Sequence, residues 1–192
     1  VPNTGFGRMG RLTFNLYLQQ EDIELLALND HSDPITLAHL LQYDSVHGKY
    51  PFPVNAVDGN IVVKGKTIRI FAERNPENIP WGDLDIDIVL ESTGKFTEKS
   101  LAEGHLKAGA KKVIITAPSP SKDVPTIVLG VNDHILTGKE TIISNASCTT
   151  NCLAPMVKVL EENFGIEKGF VSTVHSYTND QKILDLPHSD LR

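Results

Sequence analysis

The 192-residue chain holds 18 basic and 24 acidic side chains, a net charge of −6, and 40% hydrophobic residues, enough for a core of its own. The basic residues are scattered apart from small groups such as Lys111-Lys112, so no nucleic acid footprint is expected; no run of about 18 apolar residues reads as a membrane span, and no charged-then-apolar leader precedes the start. Cys148 and Cys152, four positions apart and with no clustered His or Cys nearby, suit neither a disulfide framework nor a zinc site, so reduced thiols in a cytoplasmic protein and no metal are expected. Both ends read as cut, the first because a glycine motif begins at residue 5 and the last because Asp190-Leu191-Arg192 carries no terminating signal.

In chain order, the first signal is Gly-x-Gly-x-x-Gly at Gly5, Gly7 and Gly10, followed by Leu12, Leu16 and Tyr17 at helical spacing. Glycines at such a turn let the backbone approach a pyrophosphate, and the first amides of the helix can receive its charge. Ile23 to Leu28 reads as a buried strand ending in Asn29-Asp30, which puts a carboxylate 20 positions beyond Gly10, where it can accept hydrogen bonds from an adenosine ribose. The same carboxylate would repel a 2′-phosphate, which favours NAD over NADP. The alternative is a capped turn with an incidental Asp30. Residues 1 to 4 leave almost no room for the strand that should feed the motif, and Pro2 removes an amide that a central strand would use, so that strand is expected to be clipped.

Asp33-Pro34 starts a second helix carrying Ile35, Leu37, Ala38, Leu40 and Leu41. His39 and His47 are read as packing or solvent-facing. Between Asn55 and Phe71, short β-prone pieces alternate with the turns Asp58-Gly59-Asn60 and Lys64-Gly65-Lys66, which predicts antiparallel hairpins inserted into the α/β pattern. Asn75 to Asp85 is a loop with a helical turn. A strand over Ile86 to Leu90, the turn Glu91-Ser92-Thr93-Gly94, a helix over Glu98 to Gly109 and a strand over Lys112 to Thr116 follow. Two shorter strands are expected at Thr126 to Leu129 and Thr141 to Ser144. Strands alternating with helices give an α/β class with a doubly wound, mostly parallel sheet, in which ligands lie beyond the carboxyl ends of strands. Asp30, Ser92, Thr93, Thr116 and Cys148 all stand at such ends, so one crevice can gather them.

Ser144-Asn145-Ala146-Ser147-Cys148-Thr149-Thr150-Asn151-Cys152-Leu153-Ala154-Pro155 marks a strand passing into a helix, with Leu153, Met156, Val157, Leu160 and Phe164 on one face and Ser147 as its N-cap. Pro155 predicts a kink or a late start. A thiol at a helix N-terminus is favoured as thiolate, which makes Cys148 a candidate nucleophile; two buried structural cysteines are the alternative. Gly169 to Thr178 is β-rich, and spacing alone favours His175 as a satisfied core or edge strand residue over a base. Asn179 to Arg192 reads as an extended surface segment.

Together these stretches resemble the phosphorylating glyceraldehyde-3-phosphate dehydrogenases from the first residues to the last. The twelve residues from Ser144 to Pro155 look like that family's active-site signature without a substitution. Gly5-Phe6-Gly7-Arg8-Met9-Gly10-Arg11, Tyr43-Asp44-Ser45-Val46-His47-Gly48, Glu91-Ser92-Thr93-Gly94 and Thr173-Val174-His175-Ser176-Tyr177-Thr178-Asn179-Asp180-Gln181 support it in order. The resemblance implies that Cys148 is the nucleophile and His175 the residue that activates it and moves protons. It implies that Arg8 and Met9 meet the NAD pyrophosphate, that Asp30 binds the ribose, that Arg74 and Thr116 add cofactor contacts, and that Ser147, Thr149 and Thr178 contact substrate or phosphate. The resemblance further implies that Leu186-Pro187 accompanies NAD preference by reaching the cofactor of a neighbouring subunit.

The implied activity is NAD-dependent oxidation and phosphorylation of glyceraldehyde 3-phosphate, with inorganic phosphate, by a homotetramer. Residues 1 to 147 would form the NAD-binding domain and 148 to 192 the start of an α+β catalytic domain. Most of that second domain would lie beyond Arg192, so the chain as given is expected to turn over little. A sister activity on erythrose 4-phosphate and a non-catalytic NAD-binding fragment are the alternatives. The chain departs from the family at Thr4, where Asn is usual, and at Val1-Pro2-Asn3.

Overall fold

The computed structural model describes residues 1–178. It divides into two compact units, Val1–Lys158 and Val159–Arg192. The elements in chain order are β1 Asn3–Thr4, α1 Arg8–Tyr17, β2 Ala27–Asn29, α2 Pro34–Gln42, β3 Tyr43–Asp44, β4 Gly48–Lys49, β5 Val54–Val57, β6 Asn60–Val63, β7 Lys66–Phe71, β8 Ile88–Glu91, α3 Lys99–Lys107, β9 Lys112–Ile115, β10 Ile142–Ser144 and α4 Cys148–Phe164. Short 3-10 turns lie at Pro76–Asn78, Gly82–Leu84 and Asp133–Ile135.

Eight strands form one sheet in the order β10-β9-β8-β1-β2-β7-β6-β5, and β3 pairs with β4 separately. From β10 through β7 every neighbour is parallel, and β7-β6-β5 are antiparallel. The chain winds outward from β1 to β2 and β7, then returns to β8 on the other side of β1, so the order reverses between β1 and β8. In a doubly wound sheet that reversal opens a crevice at the carboxyl ends of the two strands.

Local chemistry explains the pieces. Asp33 caps α2 by accepting from the Thr36 amide at 2.9 Å, with Pro34 in the first helical position. The hairpin turns place Asp58-Gly59 and Lys64-Gly65 at positive φ, 49° and 77° in the first and 50° and 73° in the second, the two-residue turn that matches strand twist. Both faces of the sheet are covered, as parallel strands require. Leu28 joins Phe14, Leu18, Leu37, Leu41, Ile61 and Ile68 on one side. Its neighbour Ala27 packs with Ile79, Trp81, Ile86 and Val89 on the other, since successive strand residues point to opposite faces. Ala102, Val113, Ile115, Val124 and Ile142 close a third cluster near β10.

The clipped first strand is present in function. Asn3 and Thr4 pair with Leu28 and Asn29 on one side and with Leu90 and Glu91 on the other. The Val1 and Pro2 carbonyls extend the ladder by accepting from Leu26 and Leu90. Pro2 is tolerated because it stands ahead of the strand and uses its carbonyl, which needs no amide.

Other expectations change. Regular pairing in β2 begins only at Ala27. Of Thr126 to Leu129, only Thr126 bridges to Ser144, with the Ile127 amide donating to the Ser144 carbonyl at 2.8 Å; the rest curls into a turn at Gly130. α4 starts at Cys148 and carries Pro155 inside it, so there is no late start. None of α4 is buried, and Met156, Val157, Leu160 and Phe164 are exposed.

In the second unit the described residues 169–178 form no strand, because among the described residues no neighbour pairs with them and a lone strand is not stable. Among the described residues no helix is long and apolar enough to cross a membrane.

Candidate active site

The glycine turn lies at the carboxyl end of β1, and each glycine has a distinct steric role. Gly5 sits at φ +80°, and a Cβ there would stand 2.8 Å from the Thr93 backbone, so the turn after β1 lies directly against the turn after β8. A Cβ on Gly10 would meet the Gly5 carbonyl oxygen at 2.1 Å, so α1 can rest on β1 only without a side chain at that position. Gly7 has nothing within 4 Å of its Cβ position, and no side chain caps the helix that begins at Arg8. The amides of Arg8, Met9 and Gly10 therefore open a helix N-terminus onto free space, and that arrangement fits a dinucleotide pyrophosphate.

Asp30 follows β2 and turns back to this loop, accepting from the Phe6 amide at 2.8 Å and the Ser32 amide at 2.9 Å. Each carboxylate oxygen keeps acceptor capacity for a ribose hydroxyl. Arg74 is exposed beyond β7, in a segment held by Asn29, which exchanges two hydrogen bonds with the Glu73 backbone at 2.8 and 3.0 Å. The Arg8 guanidinium pairs with Asp44 of the β3–β4 hairpin. The Asp44 carboxylate also accepts from the His47 and Val46 amides, and these bonds, with Arg8 adding a smaller share, hold its pKa well below the usual carboxylate range.

On the other wall, Ser92 and Thr93 follow β8. The Thr116 amide and hydroxyl both donate to the Glu91 carbonyl, at 3.0 and 3.2 Å, so the end of β9 is tied to the end of β8. The Asn145 amide donates to the Ile115 carbonyl at 2.8 Å and carries the chain from β10 alongside β9. Ala146 then takes a left-handed φ of 58°, unusual for a residue with a Cβ, and turns the chain into α4. Ser147 caps that helix by accepting from the Thr150 amide at 3.0 Å. Cys148 is the first helical residue and is exposed, with Thr149 beside it. The alternative of two buried structural cysteines is overturned: Cys148 and Cys152 are both exposed, because no layer covers α4 among the described residues.

The first unit thus gathers Gly5, Gly7, Arg8, Met9, Gly10, Asp30, Arg74, Ser92, Thr93, Thr116, Ser147, Cys148 and Thr149 along the carboxyl edge of one sheet. His175 and Thr178 belong to the second unit and are exposed there. The His175 ring nitrogen Nδ1 approaches the Ser176 carbonyl. Leu186 and Pro187 lie outside the described residues.

Two side chains of this edge escape a reading of spacing. Asn3 donates to the carbonyls of Gly5 and Gly10 at 3.2 and 3.1 Å and accepts from Ser92 Oγ at 3.1 Å, holding the glycine turn to the opposite wall. Glu91 closes an apolar parallel strand with a buried charge. Its place after Ile88-Val89-Leu90 is the one signal that could have found it.

Comparison with known proteins agrees with this geometry. Residues 2–99 match the family model "Glyceraldehyde 3-phosphate dehydrogenase, NAD binding domain", and residues 147–192 match that of the "C-terminal domain" of the same family. The glyceraldehyde-3-phosphate dehydrogenase of Geobacillus stearothermophilus is 59% identical over 189 residues, which cover 98% of this chain and 56% of that protein. The Thermotoga maritima enzyme of the same name is 56% identical over 194 residues, covering 100% and 58%. That of Mycoplasma pneumoniae is 54% identical over 192 residues, covering 100% and 57%. The chain spans somewhat more than half the length of these relatives, and its first unit has the Rossmann-type fold of the NAD binding domain it matches. The chain belongs to the glyceraldehyde 3-phosphate dehydrogenase family.

Proposed function

We propose that the protein oxidises glyceraldehyde 3-phosphate and captures the product with inorganic phosphate, through a thioester on Cys148. The observation that carries this reading is the position of Cys148 at the first turn of α4, on the same sheet edge as the open N-terminus of α1. A thiolate there is favoured by the helix dipole. It attacks the aldehyde carbon to give a hemithioacetal, and His175 takes the hydroxyl proton as the carbon gives up its hydride. NAD, held by Gly5, Gly7, Arg8, Met9, Gly10, Asp30, Arg74, Ser92, Thr93 and Thr116, supplies the hydride acceptor. The Cys148 amide is placed to stabilise the oxyanion. Phosphate oxygen then attacks the thioester carbon, the C–S bond breaks, and Cys148 leaves as thiolate with 1,3-bisphosphoglycerate released. Ser147, Thr149 and Thr178 contact the phosphate groups.

The NAD-binding domain takes residues 1 to 147 and the catalytic domain begins at 148, a division supported by the start of the second family match at residue 147. The whole protein acts as a cytoplasmic homotetramer, in which Leu186-Pro187 meets the cofactor of a neighbour. A second reading, in which this chain binds NAD without turnover, is supported by the match of residues 2–99 to the NAD binding domain.

One experiment separates the readings. The chain is mixed with NAD, phosphate and either glyceraldehyde 3-phosphate or erythrose 4-phosphate, and NADH absorbance is followed alongside the mass of the peptide holding Cys148. The proposal expects NADH with the triose and, when phosphate is left out, an acyl adduct on that peptide, both abolished by Cys148→Ser. NAD binding with no adduct supports the second reading, and NADH formation that survives Cys148→Ser overturns the assignment of the nucleophile.

A further inference from the structure

Beneath the crevice lies a buried polar chain that the proposed chemistry does not use. The Glu91 side chain is 0% exposed and that of His105 1% exposed. Glu91 Oε2 accepts from the Thr4 hydroxyl at 2.7 Å and lies 3.1 Å from His105 Nε2. Oε1 accepts from the Thr93 amide at 2.7 Å and from the Thr93 hydroxyl. A carboxylate offers about four acceptor sites, and all are taken.

The donor at His105 is fixed by its other neighbour. The Trp81 indole N–H, which can only donate, points at His105 Nδ1 at 3.1 Å, so Nδ1 accepts and the ring proton sits on Nε2, facing Glu91. Trp81 is itself fully buried. The chain Trp81–His105–Glu91 therefore runs in one direction and ends on two hydroxyls and an amide.

Where it ends matters more than that it is satisfied. Thr4 immediately precedes Gly5 at the end of β1, and Thr93 follows β8. They stand on the two strands between which the sheet order reverses, where the backbone of Gly5 already touches that of Thr93. Beside the Ser92–Asn3 bond and the Ser92 amide donating to the Thr4 carbonyl at 2.8 Å, this carboxylate ties the two crevice walls together, one oxygen holding each wall.

We propose that Glu91 is a positioning residue for the dinucleotide: with His105 oriented by Trp81 behind it, it holds Thr4 and Thr93 so that the glycine turn and the Ser92-Thr93 turn meet the cofactor at the right spacing. This rests on the crevice being an NAD site. It also gives Thr4, one of the positions at which the chain departs from the pattern it resembles, a definite task.

The test uses Glu91→Gln, which keeps the shape but turns an NH₂ group toward groups that themselves donate, and Thr4→Val, which removes one hydroxyl. Two readouts are taken on the whole chain: NAD affinity by calorimetric titration, and amide hydrogen exchange without NAD at Gly5, Phe6, Ser92, Thr93 and Gly94. Glu91→Gln is expected to weaken NAD binding about tenfold or more and Thr4→Val by a smaller factor, consistent with loss of hydrogen bonds to a charged group. Exchange should quicken at the five amides while β6 and β7 keep their protection. If melting temperatures fall but NAD affinity stays within about twofold and exchange at those amides is unchanged, Glu91 serves stability alone and the proposal is overturned. Should Glu91→Gln fail to fold, Thr4→Val decides by the same readouts. Failure of the unaltered chain to bind NAD would count against the cofactor reading, and the exchange measurement would still decide whether Glu91 holds the two walls.

Discussion

A Cβ on Gly10 would lie 2.1 Å from the Gly5 carbonyl oxygen, and 2.8 Å from the Asn3 side-chain nitrogen that holds the same turn. The contact between α1 and β1 is therefore backbone against backbone, and residue 10 sets how close the helix comes to the strand. Gly7, two residues after Gly5, has the opposite surroundings, with open space where its side chain would be.

Gly10→Ala and Gly7→Ala should consequently separate stability from binding. The first must push α1 off β1 and is expected to cost about 2–3 kcal/mol, the usual penalty for overpacking, and to lower NAD affinity with it. Gly7→Ala adds a methyl to a residue with φ −72° and no neighbour, so the chain should melt within a few degrees of the original. Its methyl would stand over the helix N-terminus and weaken NAD binding. Parallel thermal melts and NAD titrations check both; a Gly7→Ala chain that binds normally would place the pyrophosphate elsewhere.

Asp30 holds the Phe6 amide, and as the proposed ribose ligand it would add a recognition role to that structural one. Removing its carboxylate leaves the buried Phe6 amide unpaired, so Asp30→Ala is expected to destabilise the chain by about 1–3 kcal/mol, and Asp30→Asn by less because the amide oxygen still accepts. Both should lose affinity for NAD, whereas NADP binding should fall less or improve, because a negative charge facing the 2′-phosphate has gone. The ratio of the two dissociation constants measures the effect. A ratio equal to that of the unaltered chain would remove Asp30 from cofactor choice.

The parts of this fold that could be read in sequence are those determined locally. Asp58-Gly59 and Lys64-Gly65 require a two-residue turn, Asp33-Pro34 starts a helix, and Ser147 caps one; each appears where its chemistry places it. β1 is obscured because Pro2 removes a donor, although the strand needs only its carbonyl there. Thr126 to Leu129 and Gly169 to Thr178 have β-forming side chains, but a strand also needs a partner, and propensity carries no information about one. The glycine turn, Asp30 and Cys148 are legible because each stands at a change from strand to helix or loop. The task of Glu91 is not, since its partners Thr4 and His105 lie 87 positions before it and 14 after it.

Cys148 and Cys152 are both exposed, so reagent access does not distinguish them, and position along α4 should. Cys148 is at the first helical position, where the dipole favours thiolate, and Cys152 is a turn deeper. Iodoacetamide at neutral pH is expected to alkylate Cys148 several-fold faster, as measured by peptide mass spectrometry. Ser147→Ala removes the cap and should cost about 1 kcal/mol of stability. Equal rates for the two thiols would mean that the helix start does not activate the nucleophile.

The Asp44 carboxylate links Arg8 of the glycine turn to the β3–β4 hairpin, and its pKa is lowered first by the His47 and Val46 amides and then, in smaller measure, by the His47 and Arg8 side chains. A carboxylate whose folded pKa lies below its unfolded value of about 3.9 contributes its full stability above that value, and loses it as pH falls toward the folded value. Asp44→Asn should therefore lower the melting temperature by a constant amount from pH 7 down to about pH 5, and the gap to the unaltered chain should narrow below about pH 4, where Asp44 is protonated in the unfolded state. Melts at matched ionic strength across that range provide the measurement. A difference that stays constant to pH 2 would show that Asp44 contributes through its shape and hydrogen bonds without its charge. The hairpin would then hold the glycine turn without the ion pair to Arg8.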